Sequence, residues 1–169
     1  MWRSTIFALC GALMVLGAGS AAAEVRVTFV APEHYTDASL YGDDGAAGRA
    51  PALHAIEQTL HRLGERYLRP GQILSVDVLD IDLAGQFEPW RVSADDIRFM
   101  REVTWPRIKL RYRLTEAGQP PRAGEEDISD PTYLMRAGFR SSGAVMPYEK
   151  AMLEDWFRAR FADSRVSHR

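Results

Sequence analysis

Residues 73–83, ILSVDVLDIDL, carry the pattern on which the fold turns. Leu74, Val76 and Val78 alternate with Ser75 and Asp77, as in a strand with one buried face. The alternation then slips, because Leu79, Ile81 and Leu83 continue the apolar series out of phase. An unbroken zigzag would turn Asp80 and Asp82 onto the face of Val78, against the core. A β-bulge at Val78-Leu79, where two residues oppose one, resets the phase. It returns every apolar residue to the inside and sends Ser75, Asp77, Asp80 and Asp82 outward, so the spacing predicts that bulge.

The neighbouring patterns agree with such a two-faced sheet. In 107–114, Ile108, Leu110, Tyr112 and Leu114 point one way, and Arg107, Lys109, Arg111 and Arg113 the other. A turn at Ala117-Gly118-Gln119-Pro120-Pro121 leads to a further strand near 123–129, which carries Glu125, Glu126 and Asp127. Val25, Val27 and Phe29 give a short first strand. Between the first two strands, after a glycine-rich loop at 31–48, Leu53, Ile56, Leu60, Leu63 and Tyr67 form one helical stripe. Pro51 fits its first turn and Pro70-Gly71 ends it. A last helix begins at Pro147, with Met152, Leu153, Trp156, Phe157 and Phe161 on one broad face.

These elements specify an α+β fold, a two-layer sandwich in which two helices cover one face of a mostly antiparallel sheet. The other face stays wet, which a strand with four basic side chains on one side requires. The stretch 84–106 is ambiguous. Ser93 with Asp96 resembles a helix-capping pair, whereas Ile97-Arg98-Phe99-Met100 reads equally as extended.

The N-terminus points to a compartment. Arg3 precedes an apolar run from Thr5 to Ala18, and Ala21-Ala22-Ala23 offers the small residues of a signal-peptidase site before Glu24. Residues 1–23 are therefore expected to be a cleavable signal peptide, 24–169 a single exported domain, and the localisation the periplasm. The apolar run is short for a membrane span, and no transmembrane segment is expected after cleavage. Cleavage also removes Cys10, the only cysteine, so packing alone must hold the mature fold. The formal charge of −2 becomes −3 once Arg3 leaves, which argues against nucleic acid as a partner.

The chemistry-bearing residues divide into several groups. Asp77, Asp80 and Asp82 along one strand are too few for a calcium site, which gathers six or more oxygens. A charge ladder explains them better: the basic strand 107–113 lies between acidic strands, and each cross-strand pair contributes about 0.2–1 kcal/mol. The basic row, Arg111 and Arg113 included, could instead hold an anion, but its acidic neighbours neutralise much of its field. His54 and His61 stand seven residues apart on the first helix, not at the four-residue spacing of a helical zinc site. Ser141-Ser142-Gly143 lacks a nucleophile elbow. No cofactor is implied.

Phe87-Glu88-Pro89-Trp90, with Trp105-Pro106 beyond it, remains as the most suggestive stretch. Loop tryptophans stack on sugars or anchor partner proteins. The bland alternative is that Trp90 and Trp105 cover the sheet's edge, since a large ring usually buries.

The chain resembles the domain of unknown function 3016 family, small exported bacterial proteins without assigned activity. The resemblance rests above all on Asp80-Ile81-Asp82-Leu83-Ala84-Gly85 and Phe87-Glu88-Pro89-Trp90-Arg91. Val27-Thr28-Phe29, Pro70-Gly71-Gln72, Leu110-Arg111-Tyr112-Arg113-Leu114, Tyr148-Glu149-Lys150 and Asp155-Trp156-Phe157 extend it over nearly all of the mature chain. The chain departs at Gly143-Ala144, where the family pattern tends towards Asp-Pro. The resemblance implies no reaction and no catalytic residue.

The first expectation is thus a non-enzymatic binding or interaction domain of the cell envelope, with an envelope protein or a glycan as partner. Its candidate binding residues are Asp80, Asp82, Phe87, Trp90, Arg91, Arg111 and Arg113. The alternative is a carboxylate-dependent hydrolase-like enzyme with Asp80 or Asp82 as base near Trp90 and Arg91 as electrostatic helper. A desolvated carboxylate in a concave pocket would favour the enzyme.

Overall fold

A computed structural model describes residues 22–43, 45–88, 90, 97–136 and 145–162. Four strands form the main sheet in the order β1 (Glu24–Phe29), β2 (Ile73–Asp82), β5 (Arg107–Thr115), β6 (Arg122–Ser129). Two short strands, β3 (Gln86–Phe87) and β4 (Arg98–Phe99), make a separate antiparallel ribbon. The helices are α1 (Ala46–Tyr67) and α2 (Pro147–Phe161). The fold is α+β, as the periodicities predict. The sheet is mixed: β1 pairs with β2 in parallel, and the other two pairings are antiparallel. A parallel neighbour needs a crossover, and α1 supplies it.

The bulge lies where the apolar phase slips. Val78 pairs with Leu110 and Asp80 with Lys109, leaving Leu79 unopposed. Val78 and Ile81, on either side of the slip, are both fully buried. Leu79 itself is only half-buried, as is Ile73 at the start of the strand, so the reset brings inward every apolar residue from Leu74 on except the one that makes it. The Val78 carbonyl takes two donors from before α1, the Val30 N–H at 2.9 Å and the Tyr35 hydroxyl at 2.8 Å.

The inner face and both helices share one core. Leu74, Val76, Val78, Ile81, Ile108, Leu110 and Leu114 meet Ile56, Leu60 and Leu63 of α1 and Leu153, Phe157 and Phe161 of α2. Tyr112 makes edge-on contacts with Trp156 and Phe161 at 5.8 Å each. The outer face carries the charges. Arg111 lies between Asp77 and Glu125 in register, and Lys109 between Asp80 and Asp127. Arg107, Lys109, Arg111 and Arg113 are all exposed, so the ladder selects strand register more than it stabilises.

Two details depart from the sequence reading. Pro51 sits inside α1, because the helix starts five residues earlier at Ala46. The Asp43 carboxylate accepts the Gly45 N–H at 2.8 Å and organises that earlier start, so the missing Pro51 donor forfeits one ladder bond. Trp90 does not cover the sheet's edge, being 70% exposed. Arg91, Ser93 with Asp96, Arg140, the Ser141-Ser142 pair and the expected leader up to Ala21 lie outside the described residues.

Gly64 fixes how closely α1 approaches β1. A β-carbon there would fall 2.1 Å from a methyl of Val25. At an open helix site Gly→Ala stabilises by about 1 kcal/mol through propensity. Here overpacking opposes that gain, and Gly64→Ala is expected to destabilise by about 1–3 kcal/mol in urea unfolding. An unchanged or raised midpoint would mean that the helix can lift away freely.

Candidate functional site

Beyond Asp82 the chain leaves the sheet and meets the segment that precedes α1. The Asp37 N–H donates to Ile81 O at 2.8 Å, and the Leu83 N–H to Asp37 O at 3.0 Å. The turn that follows needs a glycine. Gly85 has φ +78°, and a β-carbon on it would meet Met100 Sδ at 2.7 Å and Phe99 O at 3.0 Å. Its N–H donates to Thr104 O at 2.9 Å. The β3–β4 ribbon then folds over this corner.

Arg98 holds the corner together. Its guanidinium donates to the Asp37 carboxylate at 2.6 Å and to the carbonyls of Ser39 at 2.7 Å, Gly85 at 2.9 Å and Ala84 at 3.1 Å. The same group lies 4.8 Å from the centre of the Phe87 ring. Its side chain is only 10% exposed, yet its charge is matched by Asp37 and its donors are directed at carbonyls. A buried charge needs both conditions.

Glu149 closes the corner from below. It stands in the first turn of α2 and is 3% exposed. Its Oε1 accepts the Ala84 N–H at 2.8 Å. Burial pushes this carboxyl above the ordinary glutamate range, against the opposing effects of the Ala84 hydrogen bond and the nearby Arg98. Close by, Tyr133 and Tyr148 pack edge-on at 4.8 Å, forming with Ala84 a small apolar cluster against which Trp105 rests.

Between this corner and the end of β5 lies an open cleft of about 700 Å³. Its lining includes Thr36, Asp82, Gln86, Phe87, Trp105 and Arg107, with Asp37 at its base. Both lining carboxylates are bound by arginine: Asp82 by Arg107 and Asp37 by Arg98, each at 2.6 Å. Of the candidate binding residues named from sequence, the structure brings Asp82 and Phe87 together here, beside Trp105 and Arg107, while Trp90 is not in the lining. Asp80 is absent from the lining and instead accepts the Thr36 N–H at 2.7 Å and the Thr36 hydroxyl at 2.8 Å. Arg111 pairs with Glu125 at 3.2 Å, and Arg113 lies farther along the same strand, opposite Ser75 and Ala123. At roughly 3.3 Å per residue, Arg111 is about 13 Å from Arg107 and outside the site. Arg91 lies outside the described residues.

Sequence reasoning missed Asp37, Arg98 and Glu149. Glu149 carried a usable signal, since it follows Pro147 by two residues in a helix's first turn, where an acid satisfies orphan N–H groups. Among the described residues no group of three or more His, Cys, Asp and Glu gathers as a metal-ligand set. No helix among them is long and apolar enough to cross a membrane.

Two expectations follow. Asp82 and Arg107 form a half-exposed pair, so Asp82→Asn should lower stability by less than about 1 kcal/mol. Asp80→Asn should cost more, about 1–2 kcal/mol, because it weakens charge-assisted bonds that tie the Thr36 segment to β2; equal effects in urea unfolding would contradict this. For Glu149, the raised pKa means that the folded protein keeps the proton more tightly than the unfolded chain. Its stabilising effect is complete below the unfolded value of about 4.3 and declines as pH rises through the folded one. Glu149→Gln has no proton to lose, so its stability relative to wild type should climb with pH above about 4.3. A flat difference across that range would rule the burial effect out.

No curated protein and no solved structure matches this chain significantly. A family model does, the one described as "Protein of unknown function (DUF3016)", and it spans residues 23–159. That span takes in every strand of the sheet, Asp37, Arg98, Glu149 and the cleft lining. The chain therefore belongs to the DUF3016 family.

Proposed function

We propose that this protein is an exported, non-enzymatic binding domain of the bacterial cell envelope, and that it recognises its partner through the segment 84–106 and the cleft this segment walls. The leader-like N-terminus supports the export half of this reading. One observation carries the binding half. Trp90, Ile97, Met100 and Val103 are 70%, 52%, 43% and 75% exposed, and all four belong to this one segment. Scattered exposed apolar residues need no explanation, but four within one segment, with Val103 in the cleft lining, support a contact surface there.

The hydrolase-like alternative is weaker on the same geometry. A desolvated, uncompensated carboxylate in the cleft would have favoured the enzyme, and the two carboxylates of the lining are instead each paired with an arginine. Asp80 serves Thr36 instead of the cleft. Glu149 is a desolvated acid, but it is sealed beneath the Ala84 turn and outside the cleft lining.

Affinity capture with the tagged mature protein from a periplasmic extract, wild type against Trp90→Ala, tests the reading. The variant should melt within about 1–2 °C of wild type, because an exposed ring contributes little to folding. It should also lose at least one component that wild type retains. Identical captured sets from two equally stable proteins would overturn the proposal.

A further inference from the structure

The cleft's lining says what kind of ligand it suits, an inference that rests on the binding reading above. Charge is the first discriminator. The two carboxylates that line the cleft are balanced by Arg107 and Arg98, so the site offers an ion of either sign no net field. A carboxylate or phosphate ligand at the remaining Arg107 donors would meet the Asp82 charge beside them, and an ammonium ligand at Asp82 would meet the Arg107 charge.

Hydrogen bonding is the second. Arg107 uses its Nε and one terminal nitrogen on a single oxygen, Asp82 Oδ2, leaving further donors beside the acceptor Oδ1. The pair is partly exposed, with side-chain exposures of 49% and 21%. Gln86 adds an amide that both donates and accepts, whereas the Thr104 hydroxyl is engaged with its own turn, donating to Arg101 O at 3.2 Å and accepting the Arg101 N–H at 3.1 Å. Donors and acceptors alternating over a small area fit adjacent hydroxyl groups, each of which does both at once. The third discriminator is aromatic. Trp105 and Phe87 both line the cleft, and both are positioned by groups other than the ligand: Trp105 by the Ala84–Tyr133–Tyr148 cluster, Phe87 by the Arg98 guanidinium. A π face is electron-rich, and the C–H face of a pyranose ring is its complement. The volume of about 700 Å³ falls within the range of about 300–1,000 Å³ of small-molecule sites.

We infer that the cleft is a carbohydrate site, taking a short run of an uncharged glycan through Trp105 and Phe87 as platforms and Asp82, Arg107 and Gln86 as hydroxyl partners. The Asp82–Arg107 pair is then a preformed recognition element as well as the last rung of the charge ladder. Ordering those side chains before the ligand arrives removes part of the entropic penalty of binding.

The test is titration of the mature protein, by calorimetry and by tryptophan fluorescence, with three neutral tetrasaccharides: the N-acetylglucosamine tetramer, cellotetraose and maltotetraose. At least one should bind saturably and shift the tryptophan emission. Gln86→Ala, a change at an exposed side chain, should weaken it roughly tenfold, equivalent to about 1.4 kcal/mol. Trp105→Ala should abolish the emission shift. Since Trp105 also packs on the apolar cluster, Gln86→Ala is the arm that stands if the tryptophan variant misfolds. No binding of any of the three in the millimolar range, or binding indifferent to Gln86→Ala, would overturn the carbohydrate assignment. So would preferential binding of an uncharged tetrapeptide used as control. Loss of a captured partner in Trp90→Ala together with silence towards all three sugars would leave the binding domain standing and remove only the ligand class.

Discussion

The phase reset in β2 is the constraint from which the rest of the molecule follows. A strand's side chains alternate strictly, so a ten-residue strand with apolar residues on both phases cannot bury them all on one face without an extra residue. Leu79 is that residue. With it, Val76, Val78 and Ile81 all reach zero exposure beneath the helices, while Asp77, Asp80 and Asp82 turn to water together. Without it, either Ile81 would be lost from the core or two carboxylates would be buried. A bulge leaves one residue unpaired and sharpens the local twist. Here the Val78 carbonyl, next to the bulge, receives two donors from the chain that comes before α1.

The reset also decides where the chemistry can be. Along most of the outer face each arginine or lysine meets a carboxylate across the strands, and Glu125, flanked by Lys109 and Arg111, is held below the ordinary carboxylate range by both. These charges stay wet, and wet pairs contribute little to stability. At the end of β2 the sheet stops and the ladder's last pair, Asp82 with Arg107, reaches the cleft wall. There the packing principle changes. The corner built by 37–39, 83–85 and 98–99 is held by one nearly buried guanidinium and one buried carboxyl, which bond to backbone groups that no regular ladder satisfies. Buried polar groups without partners are costly, and these bonds satisfy most of the corner's, with the buried Ser39 hydroxyl left over.

How much of this was legible depended on the reach of each interaction. The bulge, the four exposed basic residues of β5, the apolar faces of both helices and the α+β class could all be read from spacing. Part of the candidate site could be read too, since Asp82 and Phe87 line the cleft while Asp80, Arg111 and Arg113 do not. Asp80 and Asp82 are equivalent in sequence, two acids on one face of one strand. They diverge because Thr36 happens to lie over one and Arg107 beside the other. Arg98 was lost in an ambiguous apolar run, because its partners are mostly carbonyl groups, which carry no side-chain signature.

Spacing along the chain determined which elements form and which way their side chains face, because periodicity follows from the backbone geometry of each element alone. Tertiary structure alone decided that β1 runs parallel to β2, that Trp90 stays in solvent while Trp105 packs, and that Asp37, Arg98 and Glu149 meet. Those outcomes depend on groups tens of residues apart. Contacts of that reach are set by how layers stack and where a chain re-enters the fold, and no local pattern of residues encodes them.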